Sequence, residues 1–183
     1  MSLRKLPLVQ ARDDMRSLDT NVVPGALDRW NIGVRAADST DNTISIYDVI
    51  GEDPWSGGGV TAKRIAAALR SIGGRDVVVN INSPGGDLFE GIAIYNLLRE
   101  HPHQVTVKVV SLAASAASII AMAGDRIEVA KSGFVMIHNA WVLAIGNRHD
   151  LRDIADTLEP FDASIRGIYE ARTGIADADL AQM

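Results

Sequence analysis

The sequence predicts an α/β domain with parallel strands. Segments rich in β-branched residues alternate with segments whose apolar residues recur at three- and four-residue steps, as in α/β proteins. One strand segment, residues 77–81 (VVVNI), is an almost continuous apolar run, which indicates a strand buried on both faces. The 183 residues suffice for one domain with a sizeable core.

The composition excludes several kinds of function. The formal net charge is −5 and the chain has no cysteine, so we expect no nucleic-acid partner, no disulfide, no thiol nucleophile and no Cys-based zinc site. Residues 105–124 are long enough to suggest a membrane span, but the charge of Lys108 and the β-branched start favour a strand followed by a buried helix. The N-terminus lacks the apolar core of a signal peptide. We therefore expect a cytoplasmic protein without a membrane partner.

The first elements are predicted from local signals. Residues 43–50 alternate apolar and polar side chains as a strand does, and residues 51–59 form a glycine-rich loop. That loop lacks the Lys-Ser/Thr ending of a phosphate-binding P-loop, so we interpret it as a connector. Thr61 can cap a helix that runs to about residue 71 and that Gly73 ends.

The strand at residues 77–81 leads into a glycine turn, residues 82–87 (NSPGGD). Asp87 and Glu90 have the spacing of a capping box, so a helix is predicted to begin directly after Asp87 and to end before Pro102. The glycines permit a sharp turn and leave N–H groups exposed above the strand end. This turn is open to two interpretations. It could be only a structural connection, or it could bind an anion as an oxyanion hole or a nest of N–H groups.

The central stretch, residues 105–124, organises the rest of the chain. We predict a strand over residues 105–110, a turn within the small residues 111–118, and a helix over 119–123 that carries no charge and must be buried. A serine at the start of such a helix would lie near free N–H groups and the positive end of the dipole, which suits a nucleophile. Close packing of neighbouring elements would also explain the small residues.

Four elements are predicted after the central stretch, and the last of them is a helix over residues 176–183. Two short strands cover residues 126–130 and 134–138, and the second ends with His138, which could be a catalytic base or a structural histidine. The longest helix is predicted over residues 150–172. Pro160 should kink or split this helix because proline lacks an N–H donor and clashes with the preceding turn.

Three motifs together resemble the proteolytic-subunit family of Clp proteases. They are INSPGGDLFEGIAIYNLLRE (81–100), SLAASAASIIAMAGDRI (111–127) and FVMIHN (134–139), and their wording is most similar to the ClpP-like head-maturation proteases of phages and prophages. The resemblance implies a ClpP/crotonase-like spiral of β-α units with a protruding long handle helix. It implies a ClpP-like domain over residues 41–183. Residues 1–40 lie outside the resemblance and show no clear period, so we expect them to form an irregular N-terminal arm.

The resemblance also implies a Ser-His-Asp triad that needs no metal or other cofactor. It assigns the nucleophile to Ser115, rather than to Ser111 or Ser118, and the general base to His138. An imidazole beside the hydroxyl would take its proton, which a serine nucleophile requires.

The remaining parts of the implied site are the oxyanion donors and the triad acid. The donors would be the backbone N–H groups of Gly86 and Ala116. The acid is expected at or beyond Met183, so its identity is unknown and the C-terminus is expected to be truncated. The sequence also departs from the family where the usual Gly-Gln is replaced by Ser111 and Leu112.

By this resemblance the protein is a serine endopeptidase that cleaves protein or peptide substrates through an acyl-enzyme on Ser115. Two branches remain open, a Clp proteolytic core served by an AAA+ unfoldase and a prophage head-maturation protease. From a different class, the missing acid allows a catalytically silent oligomeric scaffold. A crotonase-type acyl-CoA enzyme would share the fold, but the pair of Ser115 and His138 argues against it.

We also expect a homo-oligomer, as a ring. The long helix carries an apolar stripe that would favour association if it remained exposed on a monomer. The resemblance implies that the outer part of this helix lies against another subunit, with Leu158, Phe161 and Ile165 near the contact. The other interpretation buries all three side chains within one chain.

Overall fold

The structure, a computed structural model, describes residues 41–52 and 58–182. These residues belong to one compact unit. The arm expected over residues 1–40 and Met183, the first expected position of the triad acid, lie outside the described residues.

Strands and helices alternate from residue 43 to residue 129, as the sequence predicts, and two consecutive helices end the described chain. The elements are β1 (Thr43–Ile46), α1 (Ala62–Ile72), β2 (Val77–Ser83), α2 (Leu88–Arg99), β3 (Val105–Ala114), α3 (Ala116–Ala121), β4 (Arg126–Val129), β5 (Phe134–Met136), α4 (Arg148–Thr173) and α5 (Asp177–Leu180). The sheet order is β1-β2-β3-β4, β5 pairs with β3, and every pair is parallel. The α/β class with parallel strands is therefore confirmed.

The core lies on one face of the sheet. Along β2, Val77, Val79 and Ile81 are buried, whereas the alternate residues are half-buried or exposed. Helices α1 and α2 add the buried side chains of Ile65 and Ile94, among others, to the same core. The prediction that β2 is buried on both faces is wrong, because its second face is only partly covered.

Helix ends follow the predicted local signals, with one difference. The Thr61 hydroxyl accepts the Arg64 N–H at the start of α1, and the Asp87 carboxylate accepts the Glu90 N–H at the start of α2. The return bond of the predicted capping box is absent, because the Asp87 N–H donates to the Ile50 carbonyl. The Glu90 carboxylate instead accepts the Ala62 N–H at 2.5 Å and so caps α1.

The central strand is longer than predicted. β3 continues through the small residues to Ala114, and Ser115 alone separates it from α3. The extension has partners on both sides, since Ala113 is in register with Ser83 of β2 and Val135 of β5. All residues of α3 are buried, as expected for a helix without charge.

The long helix α4 is continuous. Pro160 lies inside it and neither splits it nor ends it, so that part of the prediction is wrong. Pro160 is on an exposed side of the helix, where water can bind the carbonyl that the missing N–H leaves without a donor. No helix in the described ranges is both long and apolar enough to cross a membrane.

Candidate active site

Ser115 occupies a strained turn between β3 and α3. Its φ of 53° and ψ of −127° make it the one non-glycine residue with positive φ in the described part of the chain. Such a conformation costs on the order of 1–3 kcal/mol and persists only where neighbouring contacts enforce it. One such contact is the Ser115 N–H, which donates to the Met136 carbonyl at 2.9 Å.

His138 lies beside the Ser115 hydroxyl. Its Nε2 atom is 2.7 Å from Ser115 Oγ. β5 runs parallel to the end of β3 and stops at Met136, so His138 follows the strand rather than ending it as predicted. The parallel pairing brings the two strand ends together, and with them a hydroxyl and an imidazole that can accept its proton.

The glycine turn after β2 approaches the serine turn very closely. Gly85 and Gly86 have φ of 93° and 149°. A Cβ at Gly85 would lie 2.5 Å from the Ala114 carbonyl oxygen and 2.7 Å from Ser115 Cβ, and one at Gly86 would overlap the Ile50 carbonyl. Only glycine therefore fits both positions.

Two backbone amides adjoin the hydroxyl and imidazole. The turn pairs with Ile50 through the Gly85 carbonyl and the Asp87 N–H, so the Gly86 N–H points away from that pairing. The Ala116 N–H is the first of α3 and has no acceptor within the helix. Gly86 and Ala116 line the same cavity as Ser115 and His138.

This cavity has a volume of about 270 Å³ and mostly apolar walls. The rings of Phe89 and Phe161 meet edge to face, with centroids 5.4 Å apart, on one side of it. The remaining large apolar and aromatic wall residues are Leu88, Ile119, Trp141, Val142, Leu158, Ile165 and Tyr169. Ile165 is only 3% exposed, so its predicted place at a subunit contact is wrong, because it packs within its own chain.

Sequence reasoning missed a hydroxyl pair beneath Ser115. The hydroxyls of Ser118 and Tyr169 are 2.6 Å apart, and Ser118 Oγ also donates to the Ser115 carbonyl at 2.6 Å. The signal that could have indicated this pair is Tyr169 on the buried stripe of α4, because a buried phenol needs a hydrogen-bond partner. Burial raises the pKa of Tyr169.

Within the described residues, no carboxylate is hydrogen-bonded to His138. The position of the expected acid stays a prediction. A carboxylate does hold the segment that follows, since the Ala140 N–H donates to Asp162 Oδ1 at 2.7 Å and ties this segment to α4. The described residues also contain no group of three or more carboxylate or imidazole side chains able to hold a metal ion.

Comparisons with known proteins agree on one family. A family model described as Clp protease matches residues 60–183. The ATP-dependent Clp protease proteolytic subunit 3 of Rhodococcus jostii is 34% identical over 103 residues, covering 55% of this chain and 50% of the relative. The ATP-dependent Clp protease proteolytic subunit of Deinococcus radiodurans is 29% identical over 108 residues, covering 58% and 53%. The chain thus spans about half the length of these curated relatives.

Proposed function

Because the chain belongs to the Clp protease family, we propose that it is a serine endopeptidase that hydrolyses peptide bonds through an acyl-enzyme on Ser115. The observation that carries this proposal is the 2.7 Å distance between His138 Nε2 and Ser115 Oγ, which both line a mostly apolar cavity. Both residues lie within the segment that the family model matches.

In the proposed reaction, the neutral imidazole of His138 accepts the proton of Ser115 as Oγ attacks the scissile carbonyl carbon. The carbonyl oxygen then carries negative charge, which the N–H groups of Gly86 and Ala116 stabilise. His138 returns the proton to the leaving amine, and the peptide carbonyl remains as an ester on Ser115. Water, activated by the same imidazole, hydrolyses the ester. No step of this mechanism requires a metal or an organic cofactor.

The cavity determines which substrate side chain can lie beside the reacting bond. Its walls are mainly aromatic and aliphatic, and its volume of about 270 Å³ matches a large apolar side chain better than a charged one. We therefore propose protein or peptide substrates that are cleaved next to a large apolar residue.

The third member of the triad is proposed to lie at or beyond residue 183. Without it the imidazole would lack a group that fixes its tautomer and stabilises its protonated form. In the best-studied serine protease, disabling the acid lowers kcat by about 10⁴-fold. A pair of Ser115 and His138 acting alone is therefore expected to be slow.

The assembly and its partners are also proposals. The relatives are named as subunits of ATP-dependent proteases, which supports a ring-forming homo-oligomer that works with an AAA+ unfoldase. The similarity of the three sequence motifs to head-maturation proteases supports the other branch, a prophage protease that needs no ATP.

The competing function is a catalytically silent scaffold, which the lack of a carboxylate on His138 among the described residues favours. A fluorophosphonate probe separates the two functions, because it reacts only with an activated serine. We expect intact-mass measurement to show one adduct per chain for the parent and none for Ser115→Ala. Ser111 is exposed on β3, and Ser111→Ala should be labelled like the parent. A folded parent that stays unlabelled would refute the protease and leave the scaffold as the favoured function.

A further inference from the structure

Two hydroxyl groups are buried directly beneath the serine turn. Ser118 is 0% exposed and Tyr169 is 2% exposed, although each carries a polar group that needs a partner. The two hydroxyl oxygens form a hydrogen bond of 2.6 Å, and Ser118 Oγ forms a second hydrogen bond of 2.6 Å with the Ser115 carbonyl oxygen. The three groups form a continuous line from α4 to the serine turn.

The protons in this line have one arrangement that satisfies every group. A carbonyl oxygen can only accept, so the Ser118 hydroxyl donates its single proton to Ser115. The Tyr169 hydroxyl must then donate to Ser118 Oγ. Because burial raises the pKa of Tyr169, the phenol keeps its proton at neutral pH and remains a donor.

The carbonyl held by this line belongs to a functional peptide group. The Ser115 carbonyl and the Ala116 N–H are the two ends of one planar trans peptide, so fixing the oxygen on one side fixes the direction of the N–H on the other. The N–H groups of Ser118 and Ile119 also donate to the Ser115 carbonyl, at 2.8 Å and 3.3 Å, but both belong to α3 and cannot link this peptide to α4. Tyr169 supplies that link.

We propose that Ser118 and Tyr169 are positioning residues that hold the peptide between Ser115 and Ala116 so that its N–H faces the cavity as an oxyanion donor. This inference rests on the proposed function, since only a reaction with an oxyanion uses that N–H. Neither hydroxyl touches the substrate. Tyr169 acts through Ser118, and Ser118 acts through the Ser115 carbonyl.

The test is a double-variant cycle on the full chain with Tyr169→Phe, Ser118→Ala and both changes together. Each single change should lower kcat, and the rate of fluorophosphonate labelling, roughly three- to tenfold, the worth of one hydrogen bond, while KM stays unchanged. The double variant should be no slower than Ser118→Ala, because Tyr169 acts through Ser118. Tyr95→Phe removes the hydroxyl of another tyrosine, on α2 and outside the cavity, and should leave both rates unchanged.

The outcomes separate this inference from the proposed function. A folded parent that the probe does not label overturns both. A labelled parent whose variants react at the parental rate overturns only the positioning role, as does a rise in KM at constant kcat. Multiplying losses in the double variant would also overturn it, because the two hydroxyls would then act independently. Tyr169→Phe keeps the aromatic ring in the core, so it remains informative if Ser118→Ala fails to fold.

Discussion

His138 contacts the nucleophile through a single ring nitrogen, 2.7 Å from Ser115 Oγ. An imidazole can accept the serine proton only when it is neutral, so we expect activity to fall at acidic pH. His138→Gln should abolish peptide hydrolysis and probe labelling, because an amide cannot serve as the base. The measurement is the labelling rate of Ser115 across pH for parent and variant.

A matched control is His149→Gln, which alters an exposed histidine in the first turn of α4. This variant should keep the parental pH profile. If His138→Gln reacted with the same pH dependence as the parent, a different group would have to be the base.

The residues of the candidate site differ in how far the sequence could predict them. Ser115 and His138 belong to recognisable motifs 23 residues apart, and the sequence predicted that they would meet. Their catalytic roles remain predictions. Ser118 and Tyr169 are 51 residues apart, and no sequence pattern links them. Only the packing of α3 against α4 reveals their contact.

At the scale of secondary-structure elements, Asp125 joins several of them. Its carboxylate accepts the Val105 N–H at the start of β3 and the Arg99 guanidinium at the end of α2, each at 2.9 Å. Arg172, in the last turn of α4, donates to its backbone carbonyl. The Val105 hydrogen bond, followed by the Arg99 hydrogen bond, holds the pKa of Asp125 below its usual value.

This pKa predicts how stability depends on pH. A carboxyl group whose pKa is lowered by folding stabilises the protein above its unfolded pKa, and that contribution disappears as pH falls through the folded pKa. The unfolding free energy of the parent should therefore fall on acidification below about pH 4. Asp125→Asn should lower it by about 0.5–1 kcal/mol at neutral pH, as for partly exposed pairs, and should flatten the acid dependence.

Urea denaturation between pH 2.5 and pH 7, roughly spanning the carboxyl range, measures both effects. Asp156→Asn, an exposed change on α4, is the control and should leave the curve parallel to that of the parent. An acid dependence equally steep in Asp125→Asn and the parent would contradict the assignment.

Elements were predictable where the signal is local. Thr61 and Asp87 cap their helices as predicted, because a cap joins residues two or three positions apart. The length of β3 was not predictable, because Ala113 extends the strand only by pairing with β2 and β5, which lie far away in sequence. The second capping-box bond failed for the same reason, since distant Ile50 takes the Asp87 N–H.

At the scale of the whole molecule, the three side chains predicted near a subunit contact are not among the exposed apolar ones. Leu158 and Phe161 are half-buried at the cavity, and Ile165 is in the core. The apolar side chains open to solvent include those of the segment before α4, where Leu143 is 89% and Ile145 is 95% exposed. An exposed apolar segment of this kind is typical of an interaction surface.

We therefore expect a homo-oligomer whose subunit contact includes this segment. Ile145→Asp should shift the protein to smaller species without unfolding it, because a charge would have to be buried at the contact. Light scattering measures the mass of parent and variant. Ile175→Asp, a change of the same kind beyond the other end of α4, is the control and should remain assembled.

A monomeric parent would refute the assembly itself. An assembled parent whose Ile145→Asp variant is folded and of equal mass would refute the location of the contact.

The backbone at Ser115 also constrains how this sequence can drift under mutation. At φ 53° and ψ −127°, glycine has a lower conformational energy than any residue with a side chain. Selection for folding alone would therefore replace the serine with glycine. A serine at this position lowers the stability of the folded chain. That loss of stability is the trade-off expected when activity is under selection. In a lineage that kept this fold only as a scaffold, glycine could replace Ser115. The folded protein would then become more stable as the nucleophile was lost.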